Sequence, residues 1–177
     1  MIDRHCKVFC HSFNFHFPKD YQNDGGNKEI SKISNIVRND LRKRNIDMEY
    51  VWAREQNNSK NPHYHVMIMA DGSKINNPWS LKESIDNAIS KTLKTEATGL
   101  QHINNSDNDH RKTMINRPSS KASGEKLAEQ QSRFNYAMDQ TLNVAKYMSK
   151  TDTKGDAPAH VREYQGSQIK KTPKNKE

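Results

Sequence analysis

Two apolar stretches, MEYVWAREQ and HYHVMIMA, stand on either side of the short polar segment NNSKNP. This arrangement constrains the fold more than any other feature of the chain. Turn-forming residues bound both stretches. Each therefore reads as a strand, and the pair as an antiparallel hairpin with its turn at Asn57 to Pro62. Only 32% of the 177 residues are hydrophobic. The core of what reads as one domain has to come from a few well-patterned elements of this kind.

Periodicity supplies the other elements. KVFCHSFNF, residues 7–15, alternates apolar and polar types around Phe9, Phe13 and Phe15, which predicts a half-buried strand. After the turn-rich PKDYQNDGGNK, Ile30, Ile33, Ile36, Val37 and Leu41 recur at helical spacing, with basic residues gathered toward the far end as the helix dipole favours. Leu81, Ile85, Ala88, Ile89 and Leu93 predict a second amphipathic helix, and GLQHIN a short strand. Residues 104–124 are polar and unpatterned and read as a long surface loop. A last helix is expected over 125–150, with Leu127, Phe134, Met138, Leu142, Ala145 and Met148 on its apolar side. The order of elements predicts an α+β fold, a central antiparallel β-sheet flanked by helices over residues 1–165, followed by a basic flexible tail, 166–177.

Lys and Arg number 29 against 21 Asp and Glu, a formal charge of +8, so a polyanion is the natural partner. No stretch approaches the ~18 consecutive apolar residues of a membrane helix, and MIDRHCKVFC carries charges where a secretory signal would be apolar. The expectation is a cytoplasmic protein with no membrane partner. Cys6 and Cys10 then read as reduced, half-buried thiols rather than part of a zinc knuckle.

On a strand, residues i and i+2 point to one face, so His63 and His65 project side by side while Tyr64, Val66 and Ile68 take the other. Two imidazoles can offer nitrogen ligands to one divalent ion, and a catalytic metal commonly takes a third protein ligand and keeps an open position. Glu55, across the hairpin, is the candidate third ligand. Whether its carboxylate shares the face depends on the turn register. Such a set accepts Mg²⁺, Mn²⁺ or Zn²⁺. Histidines at the start of a strand can also do no more than hydrogen-bond to backbone and solvent.

Tyr147 and Lys150 share a face of the last predicted helix. A phenol can act as a covalent nucleophile when a base, a metal or a cation assists it. Lys150 would place positive charge where a phosphoryl oxygen accumulates negative charge. A tyrosine and lysine at this spacing also occur on many surface helices.

Taken in order, the upstream carboxylate, the HxH strand and the late YxxK resemble the HUH superfamily of single-strand DNA nicking enzymes. Within it, YVWAREQNNSKNPHYHVMIM, AKYMSKTDTKG and the terminal REYQGSQ make the chain similar to the inovirus Gp2 (YagK/YfjJ-type) group. These are rolling-circle replication initiators of filamentous phages, satellites and prophages, and the resemblance covers most of the chain. It implies a Rep-nuclease-like antiparallel sheet and a mechanism. His63 and His65, with Glu55, would hold a divalent ion, Mg²⁺ or Mn²⁺, against the scissile phosphate. Tyr147 would attack phosphorus, become joined to the 5′ side of the nick and free a 3′ hydroxyl that primes synthesis. Lys150 would stabilise the developing charge or favour tyrosinate. The substrate would be single-stranded DNA or an origin hairpin. With no room for a helicase domain, host helicase and polymerase would complete replication in a bacterial cytoplasm. VFCHSFNFHF takes the place of the family's first strand but departs from its common motif, so His11 and His16 are assigned no metal role.

Other residues carry weaker expectations. Tyr136 lies about three helical turns before Tyr147 but lacks a lysine three residues on, so it reads as packing, with Tyr147 as sole nucleophile. His102 and His110 read as solvated loop histidines. Trp52 and Arg54, on the strand before the histidines, and Arg162 and Ser167, near the end, are candidates for DNA contact; a tryptophan placed like Trp52 is more often core than a base-stacking platform. Arg38, Arg42, Lys43 and Arg44 read as a solvated helix face that adds phosphate attraction without sequence information. Two rivals stand beside the initiator: an HUH transposase or relaxase with the same chemistry, and a DNA-binding regulator that keeps the fold without cutting.

Overall fold

The structure, a computed structural model, describes residues 1–56, 59–102, 112–148 and 157–168. Strand β1 (Lys7–His16) leads to helix α1 (Lys28–Lys43), the strands β2 (Met48–Glu55) and β3 (His63–Asp71), and helix α2 (Trp79–Leu93). Then come the short β4 (Gln101–His102), β5 (Lys112–Asn116), the long helix α3 (Gly124–Met148) and β6 (Tyr164–Gly166). The strands form one antiparallel sheet in the order β4-β1-β3-β2-β6, with β5 pairing further along the β4 edge of β1. This is the α+β arrangement that the periodicities predict. Among the described residues, no helix is long and apolar enough to cross a membrane.

Local chemistry accounts for the helices. Ile30, Ile33, Val37 and Leu41 form the buried stripe of α1, and Arg42 and Lys43 occupy its last turn, where the dipole favours cations. Asn45 then adopts the left-handed conformation, φ 57, which asparagine tolerates better than most residues. That turn sends the chain into β2.

Register decides which side chains share a face. Asn14 stands opposite His65 and His16 opposite His63, while Ala53 stands opposite His65 and Glu55 opposite His63. Alternation carries the pattern along each strand. One face presents Phe9, Phe13, Phe15, Trp52, Tyr64, Val66 and Ile68 and packs against α1 and α2 in a single continuous core. The other face packs against α3 in two smaller clusters. Val8 and Cys10 meet Ile115 and Ala137 in one, and Ala53 and Met67 meet Met148 in the other.

Several expectations need correction. Residues 112–116 lie within the segment read as a loop, yet they form β5 along β1; an edge strand is held by backbone pairing and needs little apolar alternation of its own. The expected tail boundary at 165/166 cuts through β6. Gly166 pairs with Val51, and the Ser167 hydroxyl and N–H bond to the N–H and C=O of Tyr50. Leu127 and Leu142 of α3 are exposed rather than packed, because the helix lies on the sheet by a narrower stripe than its apolar residues suggest. Cys6 is an exposed free thiol and Cys10 a buried one, so neither is half-buried.

Candidate metal and tyrosine site

The register closes the question the turn left open. Glu55 is directly across from His63, so its carboxylate shares the histidine face. Glu55 Oε2 lies 2.6 Å from His65 Nε2 and 3.4 Å from His63 Nε2. One ligand atom from each of the three residues lies within 4.8 Å of the others, a grouping that could hold a metal ion. Two neutral nitrogens and one carboxylate oxygen suit a borderline or hard divalent cation.

The second ring nitrogen of His65 is also engaged. Its Nδ1 lies 2.8 Å from Asn14 Oδ1 on the neighbouring strand. Since that oxygen accepts only, Nδ1–H donates to it, and Nε2 is directed at Glu55. A partner of this kind orients a metal-binding imidazole. His63 is held differently, its ring stacked on that of His16 at 5.1 Å and 11° between planes. Burial pushes the His63 imidazole below its ordinary range, His65 adds to this, and Glu55 pulls the other way. The neutral form that results is the one that ligates metals.

Tyr147 reaches the same place from α3. Its ring packs edge-on against His65, centroids 6.0 Å apart at 88°, and 60% of the residue remains open to solvent. The last turns of α3 are held there by Val144, Ala145 and Met148 on Ala53 and Met67. Packing of these apolar side chains thus brings the Tyr147 ring to the His65 imidazole. Lys150 and His110 lie outside the described residues, as does the side chain of His102.

The other predicted residues are not gathered here. Trp52 and Arg54 are fully buried on the opposite face, which removes them as DNA contacts. Trp52 packs edge-on against Tyr64, and Arg54 donates to Gln56. Their place follows from alternation: one strand cannot turn Glu55 and residues 52 and 54 to one side. Ser167 closes β6 onto β2. Arg162 has an exposed side chain, and its carbonyl accepts from Asn27. Tyr136, expected to pack, is 63% exposed. His11 is buried between the rings of Phe9 and Phe13 on the helix-covered face, away from the carboxylate. Asn14 is the residue that sequence reasoning missed. Its alternation with Phe13 and Phe15 was visible, but its partner strand was not.

No curated protein and no solved structure matches the chain. One family model, described as the YagK/YfjJ C-terminal domain, matches residues 1–161. That span takes in Asn14, Glu55, both histidines and Tyr147, and the chain belongs to the YagK/YfjJ C-terminal domain family.

Proposed function

We propose that this protein is an HUH-type endonuclease of the inovirus Gp2 kind, which nicks single-stranded DNA through a covalent 5′-phosphotyrosine and starts rolling-circle replication of a phage or related element. The observation that carries the reading is the seating of Tyr147 against His65, on the face where Glu55, His63 and His65 converge. A nucleophile and a cation-binding group side by side are what phosphodiester transesterification requires.

In this mechanism Tyr147 Oη forms a bond to phosphorus as the bond to the 3′ oxygen breaks. The phenol gives up its proton and the departing 3′ oxygen gains one. The phosphodiester is exchanged rather than hydrolysed, so attack by another 3′ hydroxyl rejoins the strand. Mg²⁺ or Mn²⁺, held by Glu55, His63 and His65, would supply Lewis-acid polarisation of the phosphate. Asn14 keeps His65 in the required orientation, and Lys150 would offset charge on the phosphoryl oxygens. The net charge of +8 supports attraction to a DNA backbone. Host helicase and polymerase in a bacterial cytoplasm would act on the freed 3′ end.

The test incubates the full chain with labelled random-sequence single-stranded DNA and Mn²⁺ and looks for an adduct that survives denaturing electrophoresis. An adduct is expected from the wild type. Tyr147→Phe should lose it, and His65→Ala should lower it by at least about 100-fold, with DNA retention kept in both. DNA retention without any adduct would leave the regulator reading in place, and an adduct undiminished in Tyr147→Phe would remove this tyrosine from the chemistry.

A further inference from the structure

A cavity of about 510 Å³ opens between β1 and α3, directly beside His65 and Tyr147. The strand side contributes Ser12 and Asn14, and the helix side contributes Gln140, Asn143 and Val144 ahead of Tyr147. Alternation places Ser12 and Asn14 on the histidine face, and helical spacing places residues 140, 143, 144 and 147 on one stripe of α3. A stripe turned toward a sheet is ordinarily apolar, as α3 is where Phe134, Ala137 and Met138 pack. Here two carboxamides take that place.

Their hydrogen-bonding capacity is not used up within the described fold. Ser12 is 6% exposed, and its Oγ has no hydrogen-bond partner. Asn14 commits Oδ1 to His65, which leaves its amide N–H groups to other partners. Among the described residues, the side chains of Gln140 and Asn143 enter no hydrogen bond with another residue. A buried hydroxyl left in this state calls for a ligand or water to complete it.

We infer that this cavity receives one unpaired nucleobase of single-stranded DNA, the base beside the phosphate at Tyr147. The inference rests on the nicking reading for that placement. The volume falls in the range of small-ligand sites, about 300–1,000 Å³. Among the described residues, neither a carboxylate nor a Lys or Arg lines the cavity, which favours a neutral group there, a base rather than a phosphate. Single-strand recognition works by splaying bases out and bonding their edges. A carboxamide pairs with adjacent donor and acceptor atoms, and adenine is its best match. Val144 and Met148 offer an apolar surface to the face of the ring.

The experiment uses the full chain carrying Tyr147→Phe, so that the readout needs no covalent step. It selects bound members from a random-sequence single-stranded DNA pool, and sequencing reads the enrichment. One position should prefer a single base, adenine first, by about tenfold. Adding Gln140→Leu and Asn143→Leu should flatten that preference while leaving the phosphate-driven salt dependence unchanged. An abasic nucleotide at the position should lower binding to the level of the altered protein. In the wild type, adduct junctions should fall next to the preferred base. No enriched position, or equal enrichment after the two leucine substitutions, overturns the inference. An enriched base with no wild-type adduct keeps the pocket and removes the nicking reading, whereas an adduct with no base preference does the reverse.

Discussion

The two faces of the sheet are made by the same strands and have opposite duties. The face under α1 and α2 is a continuous apolar layer in which Phe15, Trp52 and Tyr64 are fully buried. Even the histidine on that side, His11, is enclosed between phenylalanine rings. The face under α3 has two small apolar clusters, and beside them Ser12, Asn14 and His65 share an opening with Tyr147, while Glu55 and His63 gather with His65. Burying polar groups costs free energy unless each finds a partner. A functional face is therefore affordable where the other face already supplies most of the hydrophobic stabilisation.

Three measurements can break or sharpen that contrast, beyond those on the adduct and the nucleobase. The largest effect is expected from Trp52→Ala, which should destabilise the protein by about 3–5 kcal/mol in urea unfolding. A loss below about 1 kcal/mol would mean that the helix-covered face does not dominate stability. A smaller effect should separate the two ends of the α3 face. Cys10 lies in the cluster remote from the histidines, and burial pushes its thiol up to about 11. Since the thiolate is the reactive form, raising the pKa suppresses reaction below it. Alkylation of native protein at pH 8 should be roughly 100-fold slower at Cys10 than in the unfolded chain, while exposed Cys6 is modified readily. Peptide mass spectrometry would detect this, and comparable labelling of both cysteines would mean that α3 lifts from the sheet. The smallest effect is expected at Asn14. Asn14→Leu should weaken Mn²⁺ binding about tenfold in calorimetric titration with little change in melting temperature. Unchanged affinity would show that His65 does not need the amide to orient it.

Alternation was the most dependable guide to the fold and to half of the site. HYHVMIM announced that His63 and His65 share a face, and it sent Tyr64, Val66 and Ile68 into the core where they are found. Applied strictly to YVWARE, the same rule separates Trp52 and Arg54 from Glu55, so their candidacy as DNA contacts was correctable without coordinates. β5 was hidden, because KTMIN owes its strand conformation to the exposed edge of β1 more than to its own pattern.

What the chain alone determined is local: periodicity, sidedness, helix ends and the excess of positive charge, all set by bonds and neighbours a few residues apart. Tertiary structure decided the rest. It set the hairpin register that puts Glu55 opposite His63, the pairing that gives His65 its contact with Asn14, and the docking of α3 that brings Tyr147 onto the His65 ring. These contacts join residues far apart along the chain. They depend on how apolar surfaces from separate elements fit together, a property that no single segment contains.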